Sequence, residues 1–295
     1  MATLQKGELF APETVKDLFS KVAGRSSLAK LAGTMPVSFN GNELFVFSMD
    51  DEVNIVAEGG RKPAGSINVE PIKVVPLKIE YGARVTDEFM YASEEKQLDI
   101  LKAFNEGYAK KVARALDIMA MHGINPRTRE VSALIGTNSF DTNTGIAEIA
   151  YSSTDIEENI ESAIAAVNEA YDVTGIVMAK SFSSTLASLT VNGVKQYPEL
   201  GWGANPGAVR GLPVDVNSTV SFNGSNDQAI IGDFANAFRW GYAKKIPLEV
   251  IQYGDPDQSG EDLKAHNQVY LRCETYIAWA ILDPTAFVKI AAQEG

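Results

Sequence analysis

The sequence predicts an α+β protein with long projecting elements, and three observations carry that expectation. One helical stretch of about thirty residues runs without interruption from Ser93 to Gly123. Ahead of it, alternation of period two holds for about fifteen residues, from Ile67 to Tyr81. The last third of the chain, from Leu212 onward, reads as apolar strands separated by turns.

Composition sets the outer bounds. The chain has 295 residues, 45% hydrophobic and 22% charged, which supports a sizeable core in one large domain or two ordinary ones. No run of eighteen apolar residues occurs, so no membrane contact is expected, and the N-terminus lacks an apolar signal core. Cys273 is the sole cysteine; an intrachain disulfide is excluded, which suits folding in a reducing compartment. A net charge of −12 argues against a protein that grips nucleic acid by neutralising phosphates.

Residues 1–41 are interrupted by glycine and proline and are slightly basic, so they are expected to form an arm without a core of its own. From 42 to 84 the pattern predicts an extended β-hairpin. Leu44–Phe47 and Val53–Ala57 supply apolar runs, Glu58–Ser66 a turn-rich tip, and Ile67–Tyr81 the long alternating return strand. Pro71 and Pro76 remove ladder donors, which places that strand at an edge or in a projection. A two-stranded hairpin of this length is not stable alone, so it needs support from its own chain or from neighbours.

In the long helix, Leu98, Leu101, Phe104, Tyr108, Val112, Ala115 and Met119, with Leu116 beside them, form one apolar stripe. Charged residues, Asp117 among them, fill the remainder and are expected to face solvent or a neighbour. Ser93 is placed as N-cap, His122 near the negative end of the dipole and Gly123 as the left-handed stop. A polar loop with short strands follows from Ile124 to Tyr151.

A second helix is expected from Thr154, with a capping box at Thr154 and Glu157 and an apolar stripe of Ile156, Ile160, Ile164, Val167 and Tyr171. Six acids between Asp155 and Asp172 read as a solvated face. A buried strand at Gly175–Ala179 and a short helix at Ser183–Leu189 complete a layered unit. A long loop, Val191–Gly211, then precedes strands at Leu212–Val216, Gln228–Gly232, Ala237–Tyr242, Ile246–Tyr253, Asn267–Asp283 and Phe287–Ile290.

The search for chemistry yields no catalytic, cofactor-binding or metal residue. His122, His266 and Cys273 do not form a zinc motif of the familiar Cys/His spacings, and there is no G-x-S-x-G, P-loop or dinucleotide fingerprint. Asp255–Gly260 is similar to the start of a calcium loop, but its twelfth position is His266 and Pro256 spoils the turn. A carboxylate pair would have to be assembled by tertiary structure. Projections on a modest body point instead to an obligate assembly.

The order of parts resembles the major capsid protein of tailed bacteriophages, whose fold is shared with encapsulins and the herpesvirus capsid floor. Glu58-Gly59-Gly60-Arg61-Lys62-Pro63 looks like the family's extended-loop tip. Ala83–Met90 leads into the long helix, and Ala120–Gly123 closes it. Val191-Asn192-Gly193 and Gly211-Leu212-Pro213-Val214 look like the flanks of the axial loop. Ile230–Phe234 and Asp283–Val288 match two closing segments.

The resemblance implies an N-terminal arm (1–41), an extended loop (42–84), a peripheral domain with a spine helix (85–150, helix 93–122), an axial domain (151–266, loop 191–211) and closing strands that return to the peripheral domain (267–295). It implies inter-subunit contacts at Glu58, Arg61, Lys62 and Lys73, and a capsomer-axis loop carrying Lys195, Tyr197, Trp202 and Arg210. Function is then structural: hexamers and pentamers of an icosahedral shell around double-stranded DNA that is enclosed but not bound sequence-specifically. The expected location is the virion, after assembly in the bacterial cytoplasm. The expected partners are further copies of the chain, a separate scaffolding protein, a portal, and head-completion or decoration proteins. No asparagine occurs near Asp283–Phe287, so covalent crosslinking through Lys62 or Lys73 is not expected. The alternatives are an encapsulin-like compartment, a β-rich hydrolase with paired carboxylates, and a phage tail or decoration protein.

Overall fold

A computed structural model describes residues 25–49, 53–62, 64–244 and 248–293. The body is built on two sheets joined by one core. The first is organised by the fourteen-residue strand Gln268–Ile281. One of its edges pairs with Leu77–Thr86, and the other with Glu249–Ile251 and then Phe238–Lys244. Gly33–Thr34 extends the sheet in parallel beside Arg239 and Trp240. The second sheet has six strands, in the order Ala147–Ala150, Phe287–Ala291, Asp227–Gly232, Gly175–Met178, Leu212–Val216, Ala208–Val209. Gly175–Met178 is buried at all four residues, the pattern of a strand covered on both faces.

The core lies where the sheets meet. Phe238 comes from the first sheet, Phe287 from the second, Phe234 from the short helix Phe234–Ala237, and Phe140 from the loop after the long helix. Phe140 stands 5.1 Å from Phe287, edge to face, and 6.0 Å from Phe238, stacked. Pairs of this kind add about 0.5–1.5 kcal/mol to what burial itself contributes.

The long helix spans Glu94–His122, and Gly123 ends it at φ +67°, its N–H bonded to the Met119 carbonyl. From Leu101 to Met121 the apolar stripe is buried against the body, whereas Leu98 and Ile100 remain about half exposed, so the first turns project beyond it. Ser93 caps only through its backbone carbonyl, which accepts from Gln97 N–H; its side chain makes no capping bond. Asp117 departs from the expected solvent face. It is fully buried, because it lies against the chain segment that precedes the hairpin.

That segment corrects the expected arm. Residues 1–24 lie outside the described residues. Residues 25–34, however, are built into the body: Ser27–Leu31 is a helix with Leu28 buried, and Gly33–Thr34 is a strand of the first sheet. Gly241 explains how the segment approaches so closely. A Cβ there would lie 2.2 Å from the Met35 carbonyl oxygen.

The unbroken return strand is also corrected. The structure divides it at Val75-Pro76 into Ile67–Val74, paired with Asn42–Met49, and Leu77–Thr86, paired with Gln268–Ile281. Proline offers no ladder N–H, so the chain changes sheets there. The expected capping box does not form either. The second helix is Ile156–Val167 with Asp155 at its N-cap; Thr154 Oγ1 donates to Asp155, and Glu157 accepts from Tyr197 instead. Tyr171 lies beyond that helix and donates its hydroxyl to Asp283. The expected strand Ile246–Tyr253 is reduced to Glu249–Ile251 among the described residues, and the short helix runs Lys180–Ser188.

Candidate assembly interface

Two parts present side chains that their own described chain does not cover. The first is the hairpin of Asn42–Met49 and Ile67–Val74. Its base is anchored in a small second core, where Val74 packs with Ala278 and Ala280, flanked by Leu44 and Ile72. On the opposite face Phe45 (65% exposed), Ile67 (61%) and Val69 (50%) are bare. Alternation of period two produces this division, and no other part of the described chain covers the outer face. Between the strands, Val53 and Ile55 are almost fully exposed. The tip turns at Ala57–Gly60, with Gly59 at φ +77° and Gly60 N–H bonded to the Ala57 carbonyl. Glu58, Arg61, Lys62 and Lys73 are all exposed, and among the described residues none forms an ion pair. Pro63 lies outside the described residues.

The second part is the segment 191–211. Thr190–Val191 and Val194–Lys195 make a tight hairpin around Asn192 and Gly193, both at positive φ. Structure divides the four residues singled out in this loop. Lys195 and Trp202 point outward, and Trp202 is fully exposed in a left-handed backbone conformation. Tyr197 turns inward and is buried, and the exposed Arg210 lies over it as a brace. The Tyr197 hydroxyl donates to Glu157 Oε1 at 2.6 Å, and the Arg210 guanidinium sits 4.5 Å over the tyrosine ring. Burial and the Glu157 hydrogen bond push Tyr197 up to about 12. Tyr197 and Arg210 thus hold the loop to helix Ile156–Val167, while Trp202 and Lys195 are presented.

Three charged clusters lie within the body. In the calcium-like loop, the Arg84 guanidinium occupies the cation position: it donates to Asp255 Oδ1 at 2.8 Å, Asp257 Oδ1 at 2.6 Å and Ser259 Oγ at 2.5 Å. That contact holds Asp257 well below the usual carboxylate range. At the first helix, Asp117 accepts from Ser26 Oγ, Ser27 N and Leu28 N, while Asp215 accepts from Ser27 Oγ and the Lys30 ammonium at 2.5 Å each. Asp117 thus caps the N-terminus of Ser27–Leu31 from the long helix, while Asp215 holds two of its side chains from the second sheet. Neither role shows in sequence, because the partners are 89 or more residues apart.

The third cluster gathers His122, Asp141, Asp227 and Lys289 at the floor of a cleft of about 580 Å³. His122 Nδ1 is 2.7 Å from Asp141 Oδ2, and Lys289 Nζ lies 2.9 Å from Asp141 Oδ1 and 3.1 Å from Asp227 Oδ1. Burial pushes Asp227 up, to about 6, and repulsion from Asp141 adds to this; His122 and Lys289 hold Asp141 down despite its burial. This is a carboxylate pair that sequence spacing did not show. Among the described residues, His122, Asp141 and Asp227 also form a group whose ligand atoms all lie within 4.8 Å of one another.

Comparison with known proteins bears on what such an arrangement is for. The model of the phage capsid family matches residues 7–292. A solved structure from Mycobacterium phage Ogopogo is similar at 28% identity and TM-score 0.74, covering 91% of this chain and 92% of its own. One from Gordonia phage Cozz is similar at 24% identity and TM-score 0.75, covering 92% and 87%. The capsid of a native GTA particle shares the fold at 12% identity and TM-score 0.65, covering 92% and 91%. No curated protein matches significantly. The comparisons bear out the α+β capsid fold and leave the hydrolase reading without support, since proteins of this family are structural rather than enzymatic. The chain therefore belongs to the phage capsid family and is a structural capsid protein that assembles with copies of itself into the shell of a virion.

Proposed function

We propose that the chain closes an icosahedral shell, as hexamers and pentamers, around the double-stranded DNA of a tailed phage. The observation that carries this reading is the bare outer face of the hairpin. Burial of Phe45, Ile67 and Val69 on a neighbouring subunit would contribute roughly 1.5–3 kcal/mol for each large side chain fully covered. A hairpin anchored only at its base gains that energy by lying on another copy.

In this reading residues 42–84 are the extended loop, whose projecting hairpin ends at Val74. Residues 85–150 and 267–295 form the peripheral domain, 151–266 the axial domain, and 1–41 an N-terminal arm whose residues 25–34 are docked on the body. Trp202 and Lys195 face the capsomer axis, Glu58, Arg61 and Lys62 form salt bridges across subunits, and Lys73 is a further contact there. Each exposed pair contributes about 0–1 kcal/mol, repeated over every copy. The net charge of −12 suits a surface that must enclose DNA without binding it tightly. A separate scaffolding protein, a portal, and head-completion or decoration proteins complete the particle, which assembles in the bacterial cytoplasm without covalent crosslinks.

The test is expression of the chain, with and without a co-expressed phage scaffold, followed by electron microscopy and analysis of shell contents. Pentamers, hexamers and DNA-competent shells support the reading. Shells that retain a cargo enzyme and no DNA would transfer it to an encapsulin-like compartment, tubes to a tail protein, and ladders in denaturing electrophoresis would overturn the absence of crosslinks.

A further inference from the structure

We propose that His122, Asp141 and Asp227 form a binding site for one divalent transition-metal cation of the zinc class, at the joint between the long helix and the second sheet. The argument starts from hydrogen-bond directions. His122 Nε2 lies 2.7 Å from the Thr219 carbonyl oxygen. A carbonyl only accepts, so Nε2 carries a hydrogen, and in a neutral imidazole Nδ1 is then a bare lone pair. That lone pair faces Asp141 Oδ2 at 2.7 Å and Asp227 Oδ2 at 3.6 Å, both acceptors. Asp227 Oδ2 is buried and has no hydrogen-bond partner among the described residues. Three candidate ligand atoms therefore converge on one point, where a proton on Nδ1 or a metal ion would join them.

The surroundings favour the metal ion. Lys289 engages Oδ1 of both aspartates, which fixes the two carboxylates and leaves each Oδ2 turned towards the histidine. A ligating histidine characteristically donates its other N–H to a carbonyl or carboxylate, as His122 does to Thr219. Ligand atoms of a tetrahedral zinc site with bonds near 2.1 Å stand about 3.4 Å apart. The His122–Asp227 separation of 3.6 Å meets this, and the His122–Asp141 separation must open by a fraction of an ångström. The cleft beyond, bordered by Asn223, Asn226 and Gln293, supplies the entry path and room for a water ligand. Lys289 already offsets part of the carboxylate charge. Occupancy would bind the end of the long helix to strand Asp227–Gly232. The inference is independent of the number of subunits in the shell.

The experiment uses full-length protein, as soluble subunits or shells, stripped with chelator and titrated with Co²⁺ near neutral pH. Visible d–d absorption saturating at about one ion per chain, displaced by Zn²⁺, is expected. Asp227→Asn is expected to weaken Zn²⁺ binding at least tenfold in calorimetry while the variant still assembles. Absence of saturable Co²⁺ binding to the wild-type chain overturns the proposal, whatever the variant does. It is equally overturned if nitrogen NMR of the metal-free protein shows a proton on His122 Nδ1 that one equivalent of Zn²⁺ does not remove, which would assign the cluster to a trapped proton.

Discussion

Asp117 shows how one side chain joins distant parts of this chain. It rises from the long helix, is fully buried, and accepts hydrogen bonds from Ser26, Ser27, Leu28, Asn217 and Thr219. Burial pushes its carboxyl up to about 6, against the bonds from Ser26, Ser27 and Leu28, which lower it. A folded-state value above the unfolded one means that the native protein binds more protons between about 3.8 and about 6. The contribution of this carboxyl to stability is therefore expected to fall as pH rises through that window, by roughly 3 kcal/mol for two units. Urea unfolding of unassembled wild-type and Asp117→Asn subunits at several pH values checks this; the stability difference between the two should change across the window and level off above it. Gly241 gives a second test at this scale. Gly241→Val drives a side chain into the Met35 carbonyl and is expected to lower stability by about 1–3 kcal/mol, read from the thermal midpoint.

At the scale of elements, the long helix and the hairpin divide rigidity from association. Ala109 is buried in the middle of Glu94–His122. Ala109→Pro removes a hydrogen bond and clashes with the preceding turn, at a cost of about 3 kcal/mol or more; loss of particles in micrographs and a lowered melting temperature are expected together. The hairpin should behave differently. Phe45→Glu alters an exposed face away from the anchoring core, so assembly is expected to fail while the melting temperature of the free subunit moves by only a few tenths of a kcal/mol equivalent. In the 191–211 segment, Tyr197→Phe removes the bond to Glu157 and is expected to cost about 0.5–1.5 kcal/mol, with faster proteolysis of that loop as the readout.

For the whole molecule, the organising fact is that both sheets, the long helix and residues 25–34 share one core, while the hairpin and Trp202 lie outside it. A subunit built this way is stable in its body and incomplete at its surface, which suits a shell tile. The family places it in a virion shell, and the outer face of the hairpin and Trp202 are exposed apolar surface.

The helices, the hairpin and most strands are local periodicities, so the sequence alone determined them: the stripe from Leu101 to Met119, the alternation from Ile67 to Tyr81 and the glycine stop at Gly123 are written in spacings of two, three and four residues. The capsid resemblance was legible for the same reason, as short motifs in fixed order. Tertiary structure alone decided where the chain switches sheets at Pro76, that Asp117 is a cap rather than a solvent-facing charge, that Tyr197 turns inward while Trp202 turns out, and that His122, Asp141, Asp227 and Lys289 meet. Each of these depends on partners tens to hundreds of residues away. A pattern in sequence records which face an element buries, but not which distant group will be waiting against it.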